Sequence, residues 1–484
     1  MFAARTYRRN FFLASVIFII SLAASVSSNN FFWMLLPFVW VIAPPLFQYT
    51  VTNTSWLFTA ILILLPLSAE FNVTDSLGLD LPDEILLMLL TGTCIIKWIH
   101  QPNWIPASLT KHPLFLLLFL YLIWIAVCCI YSTNPLLSVK FLLAKTWYIF
   151  PFVLLPQLLL RSKTAIKKMA LCLLLPMGFV VAQSLMRHSF YHFSFEGVKE
   201  ILSPFFRNHV IYSAMLVCLL TVLWCVIKLT PKANPYLKWL YIAMVLGLTG
   251  LLFSYSRGAW VAMIFGIAGG VIIYKKIAGR ILLLAILTIT ISIGWLSYNN
   301  HYLRFVPDYN HTIFHKDFGE HLEATVTLKD VSDAERFYRW IAGAKMVASK
   351  PITGFGPNNF YDNYKGYTAG VFKTWVSNNP DHSSVHNYFL LTALEQGIPG
   401  LVLFLVLFGA MLLYTQKLYH QLKDRFYKMI ALTVGVLLVM IATVNFLSDL
   451  VETDKIGSLF WLSLGMIILL DEKLREENSE PLTK

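Results

Sequence analysis

His386 and Asn387 open the stretch HNYFLLTALEQGIPG, where a long polar segment (299–384) gives way to an apolar one. An imidazole with its ordinary pKa of about 6.5 suits a general base near neutrality. At the lip of a bilayer it would act on a group held at the membrane surface; the plainer alternative is an interfacial histidine bonded to backbone. Arg257 sits in SYSRGAW at the start of another apolar run. Either it snorkels to the headgroups as an anchor, or its guanidinium forks onto phosphate oxygens and stays charged in a half-dry site. Arg207, in SPFFRNHVIYSAML, admits the same two readings. Arg336 and Arg339, one turn apart in ERFYRW, either solvate a helix face or reach an anion, and Arg336 is spaced to stack on Trp340.

Other groups rank lower. His382 would share a face with His386 only if a helix ran through both. The glutamate of an HExxH motif is missing, so no metal site is expected. Glu395 lies nine residues beyond His386 and on an unbroken helix would face away from it. Glu395, Asn387 and Arg339 are therefore secondary candidates. GFGPNNF (354–360) forms a turn, or else its glycines let backbone amides approach an anion. No parallel-sheet pattern surrounds it, so it is not a nucleotide loop.

The elements that must position these groups are membrane helices. The chain of 484 residues is 57% apolar and only 13% charged, with a mean hydropathy of +0.65, against about 25% charged in soluble domains. Spans need about 20 apolar residues. Candidates are 11–27, 31–49, 56–70, 85–99, 113–131, 146–160, 168–185, 208–228, 239–255, 258–274, 281–298, 386–414, 428–447 and 458–470. The expected class is an all-α polytopic membrane protein with 12–14 spans, divided as 1–298, a large loop 299–384, 385–470 and a tail 471–484. MFAARTYRRN followed by an apolar run has no small-residue cleavage site and reads as the start of a first span. The cysteines all lie in apolar segments without CxxC spacing and read as small core residues.

The net charge of +12 does not point to nucleic acid, because the basic residues cluster in short loops such as RSKTAIKK (161–168), KKIAGR (275–280) and QKLYHQLKDRFYK (416–428). Such clusters mark the cytoplasmic side. Only Lys140, Lys145, Arg187, Lys199, Arg207, Arg257 and Lys455 fall in the short loops opposite. Both termini are then cytoplasmic, and Arg207, Arg257, the long loop and His386 share the outer face. Within the loop, 332–349 reads as an amphipathic helix. Ser332 and Glu335 form a capping box, and Phe337, Trp340, Ile341, Ala344 and Val347 form its apolar stripe; Lys350-Pro351 ends it.

SYSRGAW, ERFYRW with GFGPNNF after it, and HNYFLLTALEQGIPGLVLFL, in this order around one large outer loop, resemble the O-antigen ligase-like superfamily over about residues 250–415. That superfamily includes O-antigen ligases, O-antigen and exopolysaccharide polymerases, and bacterial protein O-oligosaccharyltransferases. The resemblance implies a GT-C-like, metal-independent inverting glycosyltransferase of the bacterial inner membrane, without a cofactor and with its site on the periplasmic face. The donor would be a glycan on undecaprenyl diphosphate. The acceptor would be a glycolipid (the lipid A-core sugar) in a ligase, another lipid-linked unit in a polymerase, and a Ser or Thr in a protein transferase. His386 matches the family's loop histidine, proposed as base. Arg336 matches its loop arginine and Arg257 its SRG arginine, while Arg207 is a looser match to a further arginine. The leading expectation is the ligase. A transporter of lipid-linked glycan is the reading from another class; it would more often show internal repeats, and none is visible.

Overall fold

The structure is a computed structural model and describes residues 53–74, 77–307, 331–380 and 382–479, with a few more near the start (15–23, 25, 27 and 48–49). Its longer helices are α1 (Thr54–Leu64), α2 (Asp83–His100), α3 (Pro113–Ile130), α4 (Pro135–Leu159), α5 (Lys163–Phe190), α6 (His209–Leu229), α7 (Leu237–Leu252), α8 (Arg257–Tyr274) and α9 (Ala278–Ser297). After the loop segment come α10 (Val331–Ser349), the short α11 (Phe360–Tyr364), α12 (Tyr388–Gln421), α13 (Arg425–Phe446) and α14 (Asp454–Ser479). A two-stranded antiparallel hairpin, β1 (Ala69–Thr74) and β2 (Leu77–Leu81), joins α1 to α2.

Among the described residues eight helices are long and apolar enough to cross a membrane, and α1 and α7 are shorter apolar ones. This is an all-α polytopic membrane protein, as the composition predicts. Each predicted span from 56–70 onward overlies a helix, and those at 85–99 and 458–470 overlie α2 and α14, which are not among these ten. The predicted spans 11–27 and 31–49 lie mostly outside the described residues. One boundary moves substantially. The span expected at 146–160 is the second part of α4, which begins at Pro135 with Asn134 as its cap. Lys140 and Lys145 thus lie within the helix rather than in a short loop. Lys145 is buried there because Glu452 meets its ammonium.

The core centres on α14, which is buried on all sides from Asp454 to Asp471 and packs along α4. Burial all round is what an apolar helix at the middle of a bundle requires. α8 lies against α13, with Gly266 and Gly269 turned toward Met440 and Val439, so small residues let the two backbones approach.

The alternation of spans is visible in contacts at the two ends. At one end Arg161 pairs with Glu472 at 2.7 Å and Lys417 with Asp471 at 2.9 Å, while Arg425 donates to the Lys228 carbonyl at 3.1 Å. At the other, Arg257 stands 4.0 Å from Asp333, and Lys145 lies 2.7 Å from Glu452. The loop residues build a small second core there: Tyr338, Ala342 and Met346 of α10 pack with Phe355, Phe360, Tyr364 and Leu394.

α12 breaks where GIPG predicts. Gly397 has φ 73° and Pro399 follows. The freed groups find partners: Ile398 N donates to Pro351 O at 2.7 Å, and the Gln396 carbonyl accepts from Trp124 Nε1 at 2.8 Å. A Cβ at Gly397 would collide with the Ile352 carbonyl. Gly397→Ala therefore combines a left-handed backbone with a backbone clash. We expect a loss of at least about 1–3 kcal/mol, read as a lowered unfolding midpoint of the purified protein.

Candidate active site

Three segments meet beneath α10: the head of α8, the turn Ser383–Asn387, and the connection between α13 and α14. Asp333 on α10 ties the first arginines together. Its Oδ1 lies 2.7 Å from Arg336 Nη1, and its Oδ2 lies 4.0 Å from Arg257 Nη1. Arg257 is the first residue of α8, so the positive end of that helix adds to its charge. Arg339, 6% exposed, pairs with Glu335 at 3.5 Å. The buried Nε atoms of Arg336 and Arg339 find no acceptor among the described residues. A cationic recess with unfilled guanidinium donors is chemically suited to an oxyanion.

The histidine turn is held from several sides. Arg339 Nη1 donates to Ser384 O at 3.3 Å, and Trp340 Nε1 donates to Val385 O at 3.0 Å. His386 follows with φ 52°, a left-handed conformation unusual for a side chain of its size. Its N–H donates to Ser384 Oγ at 3.1 Å. Asn387 caps α12 through its Oδ1, which accepts from Leu390 N at 2.9 Å, and Tyr388 N donates to Ser448 O at 2.9 Å. Asp449 reaches the Ser384 side chain; burial raises its carboxyl above the usual range. For His386, burial and then the charges of Arg339 and Arg336 push the imidazole down to about 3. Burial also lowers Arg339. The ring is therefore neutral near pH 7 and, in the free protein, a weaker base than an ordinary imidazole.

The structure thus brings together Arg257, Arg336, Arg339, Asn387 and His386. Arg207 stands elsewhere. It is mostly exposed and pairs with Glu70 of the hairpin at 3.3 Å, and no described contact joins it to Asp333. Glu395 is buried and accepts from Asn359 N at 3.1 Å, so it anchors the 354–360 turn to α12. The amides of that turn are spent on protein. Phe355 N donates to Leu394 O at 3.0 Å and Gly356 N to Glu395 O at 2.9 Å, which favours the turn reading over an anion cradle. His382 and His386 share no helix face, because α12 starts only at Tyr388. His382 stacks on Tyr361 at 3.9 Å, and Asn379 bonds Ser383 in both directions.

The face that α10 buries also differs from the expected stripe. Its deepest positions are Ala334, Glu335, Tyr338, Arg339, Ala342 and Met346, while Ala344 is exposed. Glu335 is no capping residue, since the helix already includes Val331. Its carboxylate instead accepts from Ser377 Oγ at 2.6 Å and from Thr374 Oγ1. Trp340 rests edge-on against Phe446 and tilted against Phe337. Sequence reasoning missed Asp333, although its i,i+3 spacing to Arg336 was available. It also missed Asp449 and the Lys145–Glu452 pair, for which no local signal exists.

Fold and site define a polytopic helical membrane protein with a cationic recess and a neutral histidine at one end of the bundle. Residues 242–405, which run from α7 into α12 and include Arg257, α10 and His386, match the family model described as O-antigen ligase. Over that segment, about a third of its length, the chain is similar to the O-antigen ligase family, in agreement with the motifs. No curated protein matches the chain.

Proposed function

We propose that the protein transfers a glycan from undecaprenyl diphosphate to a surface glycolipid acceptor, the lipid A-core sugar, at the periplasmic face of the bacterial inner membrane. The observation that carries this reading is the convergence of Arg257, Arg336, Arg339 and His386 beneath α10, within the matched segment. A lipid diphosphate is already a good leaving group, so it needs charge stabilisation more than protonation. Arg257 and Arg336, bridged by Asp333, supply it where negative charge develops. Asp333 holds the two guanidiniums until the diphosphate takes its place. Neutral His386 accepts the proton of the acceptor hydroxyl as the new glycosidic bond forms. Attack opposite the diphosphate inverts the anomeric carbon. Arg339 positions the histidine turn through Ser384 O rather than gripping substrate. Arg207, paired with Glu70 of the hairpin, is given no part in this reading.

Reconstitution with an undecaprenyl-diphosphate-linked glycan and a lipid A-core acceptor tests this, with products resolved by size. We expect one acceptor species carrying the whole donor glycan, lost in His386→Ala and Arg336→Ala. A ladder of lengthened donor without acceptor would make the protein a repeat-unit polymerase. Lipid movement across the bilayer without glycan transfer, surviving His386→Ala, would overturn the enzyme reading.

A further inference from the structure

At the end of the bundle opposite His386, a cavity of about 310 Å³ opens between α5, α6, α13 and α14. Its depth is lined by Leu173, Val222, Leu437, Leu459, Leu462 and Met466. Helix interiors pack closely, and a hollow of this size is at the lower edge of ligand pockets. The hydroxyls in its wall do not make it polar. Thr433 donates back to Met429 O at 2.9 Å and Ser463 to Leu459 O at 2.8 Å, each within its own helix. Ordered water would find few partners there, so the depth selects hydrocarbon.

The rim has the opposite chemistry. Lys167, Thr230 and Asn234 edge the mouth. Lys163 and Lys167 stand over the Phe426 ring at 5.9 and 5.8 Å. Lys163 is paired with Asp424, whereas Lys167 is exposed and has no carboxylate partner among the described residues. Lys168, Lys228 and Lys232 lie on the same end of the bundle. An apolar depth under a basic rim fits an amphiphile with an anionic head, and basic pockets between membrane helices are where such headgroups bind.

We propose that this cavity binds an acyl chain of an anionic phospholipid, with the headgroup phosphate at Lys167. The chain fills the hollow and joins α5 and α6 to α13 and α14. No step of glycan transfer enters this inference, so it stands or falls apart from the transferase reading.

The test uses the purified full chain in neutral detergent. Phosphatidylglycerol, phosphatidylcholine of the same chains, and undecaprenyl phosphate are titrated separately, and the thermal unfolding midpoint is followed. A ligand that binds the folded state raises the midpoint with concentration. We expect phosphatidylglycerol to act at lower concentration than phosphatidylcholine. Lys167→Ala should weaken phosphatidylglycerol about fivefold, the effect of one lysine near a membrane anion, and should leave phosphatidylcholine unchanged. Ala170→Phe, which puts a ring into the cavity wall, should abolish the phosphatidylglycerol shift. If that variant does not fold, Lys167→Ala alone decides. Equal shifts from both phospholipids, or a phosphatidylglycerol shift indifferent to Lys167→Ala, would overturn the proposal. A stronger response to undecaprenyl phosphate than to phosphatidylglycerol would also overturn it and give the cavity to an isoprenoid chain.

Discussion

Replacing His386 by alanine is expected to lower kcat for glycan transfer by about 10²–10⁴-fold, the usual worth of one positioned base. The pH profile carries the more specific consequence. In the free protein, burial and the charges of Arg339 and Arg336 hold the imidazole at about 3. The neutral form therefore persists as pH falls from 8 to 5, though as a weaker base than an ordinary imidazole until substrate binds, and kcat/KM should show no acid limb near 6.5. When a diphosphate settles against the guanidiniums it offsets their charge, which makes protonation of the ring easier. The acid limb of kcat, which reports the bound complex, should then lie at higher pH than that of kcat/KM. Arg336→Gln removes one of the two cations acting on the ring. It should raise the limb of kcat/KM even as the rate falls. Rates measured from pH 4 to 9 on reconstituted protein check this. A wild-type limb at about 6.5 that Arg336→Gln leaves in place would refute the electrostatic account. Full activity in His386→Ala would refute the assignment of the base.

How much of this was legible in the sequence depended on the kind of information required. Arg257, Arg336 and His386 are far apart in the chain. Counting spans was enough to place them at one end, because each crossing of a bilayer reverses the side. Their meeting through Asp333 and Ser384 could not be counted. The break at Gly397 was legible because glycine and proline act locally. The buried face of α10 was not. This helix is enclosed by α12 on one side and by the segment around 374–385 on the other, so it buries Glu335 and Arg339, each satisfied by hydrogen bonds that hydrophobicity does not register. Arg207 shows the converse limit. Span parity put it on the shared end, and the contact it makes is with Glu70, in a hairpin that the pattern of apolar runs left inside a predicted span and its connection. The start of α4 was misplaced for a related reason. Lys140 and Lys145 made its first turns look like a loop, and the carboxylate that permits burial of Lys145 lies 307 residues further on.

That pair carries the second large effect. Lys145 Nζ lies 2.7 Å from Glu452 Oε1 and 3.2 Å from Tyr388 Oη, with the rings of Phe141, Tyr388 and Tyr121 at 4.9, 5.6 and 5.9 Å. It thus joins α4, the first turn of α12 and the connection into α14 that also carries Ser448 and Asp449. Lys145→Met keeps most of the packing volume but strands the Glu452 carboxylate against an apolar wall. Breaking one side of a buried pair costs about 3–5 kcal/mol, whereas replacing both sides by apolar or neutral groups is often close to neutral. Unfolding of purified protein should therefore show a large loss for Lys145→Met and a much smaller one for Lys145→Met with Glu452→Gln. The recovery by the second substitution identifies the stranded charge as the cause. Activity should separate from stability in the double variant. Tyr388 follows His386 by two residues, so without the ammonium to hold its hydroxyl the histidine turn loses an anchor. We expect kcat to stay low in the stable double variant while the KM for donor, whose diphosphate the proposal assigns to the arginines, changes little. A double variant that regained both stability and kcat would make the pair a packing feature alone. A single variant no less stable than wild type would show that the charge is not buried as the structure has it.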